Sequence, residues 1–509
     1  MHKSTVILYY PKQDIKAQDQ FQSMPFSLLA LAAVLDTGLF NVKIIDGFFD
    51  RHPEEEIKQH KNIIAVGVTV ITGPGILDAL KFSKLVKKIY PKVPVVWGGS
   101  HPSVCVHDTI SDPHVDYVIK GQGEIPFVRL LQCLLESKSA ENIPGLAMKK
   151  GKQLIDNPME LPKNINEFPH MPFHLIDVGR YVTSYPLIGK RTIVYVTSQG
   201  CPFGCKFCSD VVLYRNKWSG WSADRMLQDI IFFKERYHVD SIMFFDNNFF
   251  VDPNRVLWLC RLLIEHKIHI KWCADVRIDQ INRLKDNELT LIARAGGTSF
   301  LVGAESGNRK VLELINKRMT PEDTVSTAVK CKKHKIKVVY SFMSGFPGMF
   351  EEEFQDSISL IMKLREIDLE TRVILCTYAP YPGAELTQTY RDLIICPETL
   401  SGWAGFSQTN NSTKWLRKKE SRMLQSIANF YLPCAFSNLG LWNEIRLLGE
   451  KTIVVRFLHR VLQQMALFRL KNKFYRIRFE DIIVNLVFGV RRFLKKTKRR
   501  LLNEVASGM

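Results

Sequence analysis

Two series of short apolar runs, most of them followed by a segment of helical periodicity, constrain the fold of this chain more than any other feature. Five runs in the first 140 residues predict buried strands, and they begin at Thr5, Asn41, Ile63, Val93 and Val115. The segments from Ser27 and Gly75 carry helical periodicity and end at glycine or proline. Strand–helix repeats of this length give parallel sheets with right-handed crossovers. Residues 1–140 are therefore predicted to form a doubly wound, Rossmann-like α/β domain.

The second series predicts a barrel. Its six strand-like runs begin at Thr192, Ser241, His269, Thr298, Ile336 and Thr371. Six strands at this spacing predict a partial (β/α)6, TIM-like barrel over residues 186–395, in which chemistry gathers on the loops at the C-terminal ends of the strands. Residues 141–185 are rich in proline and are predicted to form a linker. Residues 396–509 are predicted to be a mostly helical region with a basic tail.

Length and composition narrow the class of protein. A chain of 509 residues is too long for one ordinary core, and 46% apolar with 24% charged residues is typical of a folded globular protein. Eight of the 11 cysteines are scattered singly, which favours a reducing compartment over a disulfide scaffold. The apolar run at the N-terminus is too short for a secretory signal, and no stretch approaches the length of a membrane span. We expect a cytoplasmic protein, soluble or peripheral at the inner face of the membrane.

The other three cysteines, Cys201, Cys205 and Cys208, lie within eight residues of one another, directly after the first strand of the second series. A structural zinc site takes four protein ligands, whereas three thiolates can hold a four-iron cluster that leaves one iron open. Gly200 and Gly204 would let the loop wrap around a bulky inorganic core. A three-cysteine zinc site that borrows a distant histidine, and coincidence, are the alternatives. The loop thus predicts an iron–sulfur centre at the barrel mouth.

At this loop the sequence resembles the radical S-adenosylmethionine (radical SAM) superfamily, whose C-x3-C-x2-C signature has an aromatic residue, here Phe207, before the last cysteine. Similar stretches follow later strands ("FFDNNFFVD", "VGAESGN", "SFMSGFPG" and "TYAPYPGAELTQTY"), so the resemblance covers about residues 190–390. It implies a [4Fe–4S] cluster whose open iron is chelated by S-adenosylmethionine. It also implies one-electron reduction by a flavodoxin or ferredoxin, release of a 5′-deoxyadenosyl radical, and adenine held near Phe207 and Tyr378.

The resemblance implies further contacts, each with a structural alternative. Asp246 would lie near the methionine amino group, and Glu305 and Ser306 would lie near the ribose or the methionine. For these three residues the alternative is capping of the helix that follows. Arg277 could pair with a carboxylate, either of a ligand or in a structural salt bridge.

The first domain resembles the cobalamin-binding domain that precedes the barrel in one large branch of this superfamily. The shared patterns are Gly-Gly-x-His-Pro-Ser and Gly-x-Gly-Glu, and both follow predicted strands, where parallel sheets bind ligands. The resemblance assigns to cobalamin the residues Thr69, Gly98, Gly99, His101, Gly121 and Glu124. The D-x-H-x-x-G motif that supplies a histidine to cobalt in other cobalamin proteins is absent. Cobalamin is therefore expected without a protein histidine ligand, with His101 as the alternative ligand. The other alternative is a domain that keeps the fold and has lost the cofactor.

The net charge of +19 is concentrated near the C-terminus, where residues 451–500 hold 15 of the 70 Lys and Arg and only two acids. From Phe479, apolar residues at helical spacing and a basic cluster between Arg491 and Arg500 predict a basic amphipathic helix. This helix has three possible roles: it binds an anionic membrane surface, packs its apolar face on the barrel, or binds nucleic acid. Nucleic acid is disfavoured because the apolar face would have no role and aromatic residues for base stacking are few.

Together these features predict a cobalamin-dependent radical SAM enzyme that methylates an unactivated carbon of a small-molecule substrate. The basic tail favours a lipid-like or membrane-derived substrate. One alternative is cyclisation, oxidation or rearrangement with the same cofactors but without methyl transfer. A tRNA methylthiotransferase fits less well, because Cys105 and Cys133 do not supply the three further cysteines of that group. The alternative from another class is a non-catalytic iron–sulfur scaffold at a membrane.

Overall fold

The computed structural model describes most of the chain, namely residues 3–13, 22–35, 38–185, 188–408, 412–436 and 453–475. The amphipathic helix predicted from Phe479 lies outside the described residues. Within them, every helix is too short or too polar to cross a membrane.

The first sheet has seven strands in the order β2-β1-β3-β4-β5-β6-β7. They are β1 (Ser4–Tyr10), β2 (Phe40–Asp46), β3 (Ile63–Thr69), β4 (Val95–Gly98), β5 (Tyr117–Ile119), β6 (Leu146–Lys150) and β7 (Gln153–Asp156). The first five are parallel, which confirms the predicted sheet. β6 and β7 form an antiparallel hairpin inside the segment predicted as a linker. Because Leu146 and Ala147 are fully buried, the hairpin covers the edge of the short strand β5.

Helices cover both faces of this sheet. They are α1 (Phe26–Val34), α2 (Pro53–Lys58), α3 (Gly75–Ile89), α4 (Ser100–Val104), α5 (Val106–Ser111) and α6 (Glu124–Leu135). Alternate residues of β1 enter two separate cores: Leu8 packs with residues of α1 and α6, and Ile7 packs with residues of α3. The domain is therefore doubly wound, as predicted.

The second sheet is curled, with the order β16-β15-β14-β13-β12-β9-β8. The strands from residue 183 onward are β8 (Thr183–Tyr185), β9 (Gly189–Tyr195), β10 (Ser198–Gly200), β11 (Trp218–Gly220), β12 (Ser241–Phe244), β13 (Lys271–Val276), β14 (Gly297–Glu305), β15 (Lys337–Ser344) and β16 (Arg372–Thr377). Six of them are parallel and confirm the predicted partial barrel. β8 adds an antiparallel edge, and β10 pairs with β11 in a separate two-stranded sheet.

The remaining helices surround the barrel and continue into the C-terminal region. They are α7 (Asp210–Tyr214), α8 (Ala223–Tyr237), α9 (Pro253–Glu265), α10 (Ile278–Arg283), α11 (Asp286–Arg294), α12 (Arg309–Leu314), α13 (Pro321–Lys333), α14 (Phe350–Ile367), α15 (Glu385–Thr389), α16 (Lys418–Ser426), α17 (Leu432–Phe436) and α18 (Ile453–Lys471). α17 packs on β16, and α18 packs on α14 and α17. The helical character predicted for the C-terminal region is present in its described part.

Candidate active site at the domain interface

The cysteine loop is held between β10 and β11 at the mouth of the barrel. Gly200 has a φ of +79°, and a Cβ there would lie 2.2 Å from the carbonyl oxygen of Lys217, so this position requires glycine. The side chain of Asn316 donates a 2.7 Å hydrogen bond to the carbonyl oxygen of Gly204. These contacts fix the cysteine loop between Lys217, which precedes β11, and the segment that follows α12.

Burial raises the pKa of the Cys208 thiol, and it also raises that of Cys201, where the nearby Arg277 opposes the effect. Iron would displace these protons, because metals bind thiolates. Among the described residues, no group of three or more His, Cys, Asp or Glu side chains could hold a single metal ion. Three thiols on one loop fit a larger cluster, whose corner irons take one thiolate each.

The Arg277 side chain connects the end of β13 to the cysteine loop. Its Nη1 lies 3.3 Å from the Sγ of Cys205, and its Nε donates to Asp279 at 2.9 Å. Its Nη2 donates to the carbonyl oxygen of Lys317 at 2.8 Å. The sequence indicated a carboxylate partner for Arg277 but not its contact with a cysteine.

Glu305, at the end of β14, adopts a φ of +59°, where the strand register shifts against β15. A left-handed conformation is costly outside glycine and is typical of functional sites. The carboxylate is buried and forms an ion pair with the equally buried Lys317. The Lys317 Nζ also lies 5.8 Å from the centre of the Phe207 ring. Glu305 thus lies beside the cysteine loop, and Lys317 is a site residue that sequence reasoning missed.

Phe207 and Tyr378, predicted to lie near adenine, belong to one apolar cluster. Tyr378 stacks on Phe346 with ring centres 4.7 Å apart and on Trp415 at 6.4 Å. The structure therefore brings these two predicted residues together. Phe346 and Trp415 complete an aromatic surface to which no sequence motif pointed.

Asp246 is fully buried below the cysteine loop, and each of its oxygens has partners. It accepts hydrogen bonds from the backbone N–H and the hydroxyl of Thr197, both at 2.6 Å, and from the Ser198 hydroxyl at 2.7 Å. Arg255 completes the set with an ion pair at 3.5 Å. These contacts anchor the segment that leads into Cys201.

Ser306 is also fully buried, and its hydroxyl accepts a 3.1 Å hydrogen bond from the backbone N–H of Asn308. Asn308 in turn caps α12 through the N–H of Val311. Ser306 therefore supports the loop before α12, while Asn308 is the residue that caps the helix.

Buried polar atoms without a hydrogen-bond partner among the described residues include two further groups near the ends of β12 and β13. These two groups are the side-chain amide of Asn248 and the Oδ1 of Asp275. Burial, together with the charge of Asp246, raises the pKa of Asp275 to about 8. Because buried polar groups are normally hydrogen-bonded, these two side chains are candidates for ligand contact that no motif identified.

In the first domain, a cavity of about 190 Å³ lies beyond the carboxyl ends of β3, β4 and β5. Of the six first-domain residues predicted to bind cobalamin, five line it: Thr69, Gly98, Gly99, Gly121 and Glu124. Its opposite wall belongs to the barrel domain and includes Gln199, Asp210 and Tyr214.

His101 does not line this cavity. Its ring is fully buried, with Nδ1 3.0 Å from the Thr72 hydroxyl and the ring of Trp403 at 5.7 Å. Burial lowers the pKa of His101 to about 4, so the ring is neutral at pH 7. The structure thus separates His101 from the five residues with which it was grouped.

Hydrogen bonds connect the first-domain cavity to the cysteine loop. Gln199, two residues before Cys201, donates to the Glu124 carboxylate at 3.3 Å and accepts from Gln122 at 3.0 Å. On the far side of the loop, Asp210 accepts a hydrogen bond from Asn247, which follows β12. The cavity and the cysteine loop therefore share a wall.

The two glycines at the end of β4 should respond differently to substitution, although both line the cavity. Gly99 has a φ of +98°, and a Cβ there would lie 2.6 Å from the carbonyl oxygen of Val70. Gly99→Ala should therefore lower the free energy of unfolding by about 3 kcal/mol. At Gly98 a Cβ would meet only the carbonyl oxygen of Ile119, at 3.6 Å. Gly98→Ala should cost less than about 1 kcal/mol.

Denaturant unfolding of the two variants and the unsubstituted chain measures both effects. Equal destabilisation by the two substitutions would contradict the backbone argument. If the prediction holds, the Gly98 variant provides a folded protein with an altered cavity wall.

The comparisons with known proteins agree with this geometry. Residues 195–361 match the Radical SAM superfamily model, and residues 14–131 match the B12 binding domain model. An uncharacterized methyltransferase of Pyrococcus horikoshii is 29% identical over 71% of this chain and 77% of its own length. The anaerobic magnesium-protoporphyrin IX monomethyl ester cyclase of Synechocystis sp. is 24% identical over 67% of this chain and 68% of its own.

Among solved structures, the cobalamin-dependent S-adenosylmethionine radical enzyme OxsB, with aqua-cobalamin and S-adenosylmethionine bound, is similar over 96% of this chain and 75% of that one. The TM-score is 0.72 at 15% sequence identity, a likeness that concerns the fold. The cysteine loop at Cys201 lies within the radical SAM match, and the cavity of the first domain lies within the B12-binding match. The chain is thus an enzyme of the radical SAM superfamily that carries a B12-binding domain ahead of its radical SAM domain.

Proposed function

We propose that this enzyme uses a [4Fe–4S] cluster, S-adenosylmethionine and cobalamin to methylate an unactivated carbon of a small-molecule substrate. The wall shared by the first-domain cavity and the cysteine loop carries the proposal, because methyl transfer needs both sites to face one substrate. Gln199, Asp210 and Tyr214 line that cavity and lie close in sequence to the three cysteines. When bound, the cluster and S-adenosylmethionine supply hydrogen abstraction, and cobalamin supplies the methyl group.

In this proposal, different residues at the barrel mouth bind different parts of S-adenosylmethionine. The thiolates of the cysteine loop hold the cluster, and Phe207 and Tyr378 offer apolar faces to adenine. Glu305 can accept hydrogen bonds from ribose hydroxyls, and Lys317 can pair with a carboxylate. Asp246 and Ser306 already have hydrogen-bond partners in the loops they support. Their contact with S-adenosylmethionine is therefore the part of this proposal with the least structural support.

In the first domain, cobalamin would occupy the cavity bordered by Thr69, Gly98, Gly99, Gly121 and Glu124. The residues that line the described part of this cavity include no histidine. The absence of side chains at the glycines allows a flat ligand to approach the backbone closely.

Anaerobic reconstitution with iron, sulfide and hydroxocobalamin tests the function. We expect four irons and one cobalamin per chain. With a reduced flavodoxin or ferredoxin and S-adenosylmethionine, we expect 5′-deoxyadenosine from hydrogen abstraction and S-adenosylhomocysteine from methyl transfer. The Gly98→Ala variant should keep its iron while its cobalamin content falls.

Two other outcomes would assign a different function. A cluster without cobalamin would contradict methyl transfer and favour an oxidation or rearrangement that needs only the cluster and S-adenosylmethionine. A chain that yields no deoxyadenosine under any of these conditions would favour the non-catalytic scaffold.

We further propose that the C-terminal region contacts an anionic membrane surface, which agrees with a lipid-like substrate. Residues 453–475 contain no Asp or Glu. Phe457 and Phe468 are among the most exposed large apolar side chains, Phe474 is exposed as well, and Lys471 is exposed in the same segment. Exposed aromatic rings among cations are typical of helices that bind at the headgroup level.

Flotation with lipid vesicles tests this contact. The full chain should bind vesicles that contain phosphatidylserine, release them as salt rises, and bind phosphatidylcholine vesicles weakly. Phe457→Ser combined with Phe468→Ser should weaken binding. Equal binding to both vesicle types would contradict the electrostatic part, and no binding to either would contradict the proposal.

A further inference from the structure

The guanidinium of Arg277 is the charged group that most directly contacts the cysteine loop. Its three nitrogens reach Cys205 Sγ at 3.3 Å, the Asp279 carboxylate at 2.9 Å and the Lys317 carbonyl oxygen at 2.8 Å. The ring of Phe203, in the same loop, lies 3.9 Å from the guanidinium carbon. The planar group is therefore held in one orientation, with an N–H directed at the sulfur.

Burial makes this contact stronger than a surface charge would be. Arg277 is 7% exposed and Cys205 is 8% exposed. Because two charges interact more strongly where water is excluded, a fixed cation at this distance acts on the sulfur with little screening. Lys206 provides a contrast in the same loop, since its side chain is 38% exposed and pairs with Glu385 at 2.9 Å.

We propose that Arg277 raises the reduction potential of the cluster held by the cysteine loop, and so acts as a positioning residue for electron transfer. The inference rests on the proposed function. When the oxidised cluster accepts one electron from a reduced flavodoxin or ferredoxin, its net charge becomes one unit more negative and no bond breaks. A buried cation and an N–H···S hydrogen bond stabilise the reduced cluster more than the oxidised cluster, and this raises the reduction potential.

Substitution of Asp279 should shift the reduction potential in the opposite direction to substitution of Arg277. Its carboxylate pairs with the Nε of Arg277 and partly offsets the guanidinium charge. Asp279→Asn removes that offset and should shift the potential upward. Arg277→Gln removes the cation and should shift it downward, whereas Arg277→Lys keeps the charge and loses the fixed planar geometry, so it should fall between.

The experiment is a redox titration of the reconstituted full chain with dithionite, followed by electron paramagnetic resonance of the reduced cluster. The variants are Arg277→Gln, Arg277→Lys and Asp279→Asn. Lys206→Gln is the matched control, because it removes one positive charge from the same loop at a solvated position. We expect a downward shift for Arg277→Gln that exceeds the shift for Lys206→Gln, and an upward shift for Asp279→Asn.

A cluster-loaded Arg277→Gln variant with the unsubstituted potential would overturn the inference and leave Arg277 a purely structural role. If that variant fails to load its cluster, Asp279→Asn and Arg277→Lys decide, and unchanged potentials in both would overturn it. If the unsubstituted chain holds no four-iron cluster, the proposed function fails and this inference falls with it. Iron content and the oxidised spectrum separate these cases before any potential is measured.

Discussion

Replacement of Cys201, Cys205 and Cys208 together by alanine should reduce the iron content to background and abolish 5′-deoxyadenosine production. These thiols are the protein's whole contribution of ligands in the proposed cluster, and each is at least partly buried on a loop fixed by its neighbours. Iron analysis and mass spectrometry of the products after reconstitution measure the two effects. Both should be lost together, because hydrogen abstraction depends on the bound cluster.

Cys260→Ala is the matched control. This thiol is fully buried in α9, on the helical side of the barrel, and burial raises its pKa to about 12. Its loss should cost about 1 kcal/mol of stability and leave four irons per chain. Deoxyadenosine production by the triple variant would contradict radical chemistry at this loop. Iron loading by the triple variant at the unsubstituted level would contradict ligation by these cysteines.

Features that depend on local pattern could be predicted from the sequence. The eleven parallel strands predicted from apolar runs are all present, because burial on both faces demands continuous apolar stretches. The hairpin of β6 and β7 was missed, since β6 ends in two exposed lysines and prolines surround the segment. Only the pairing of β6 with β5, a tertiary event, makes a strand of it.

The candidate site likewise combines features that the local sequence predicts with features that only tertiary contacts create. The cysteine signature and the glycines at strand ends are local, and the structure places those glycines around one cavity. Arg277 and Lys317 lie beside Cys205 and Phe207 of the cysteine loop, although each pair is more than 70 positions apart in sequence. The sequence therefore predicted neither the contact of Arg277 with Cys205 nor any role for Lys317. His101 follows its glycines in sequence, but its ring is buried beside Trp403 instead.

Asp246→Ala should destabilise the barrel strongly, by about 3–5 kcal/mol, with a fall in Tm of about 10 °C. The substitution leaves three donors without an acceptor and removes the carboxylate paired with Arg255, which is 7% exposed. A buried charge that loses its partner is costly. Thermal unfolding of the iron-free chain measures the effect without any ligand.

Asp224→Asn is the control, since this carboxylate is exposed in the first turn of α8. It should change the free energy of unfolding by about 0.5 kcal/mol. Asp246→Asn keeps the shape of the side chain but loses its charge, so its loss of stability should lie between those of Asp246→Ala and Asp224→Asn.

The same variants separate the two roles of Asp246. If the carboxylate chiefly anchors Thr197 and Ser198, Asp246→Asn should lower both Tm and iron loading in the absence of S-adenosylmethionine, because the strand that leads into Cys201 loses its support. If the carboxylate chiefly binds the methionine amino group, Tm and iron loading should stay at the unsubstituted level and only the affinity for S-adenosylmethionine should fall. The four contacts that Asp246 makes with Thr197, Ser198 and Arg255 favour the first result. An unchanged Tm would overturn it.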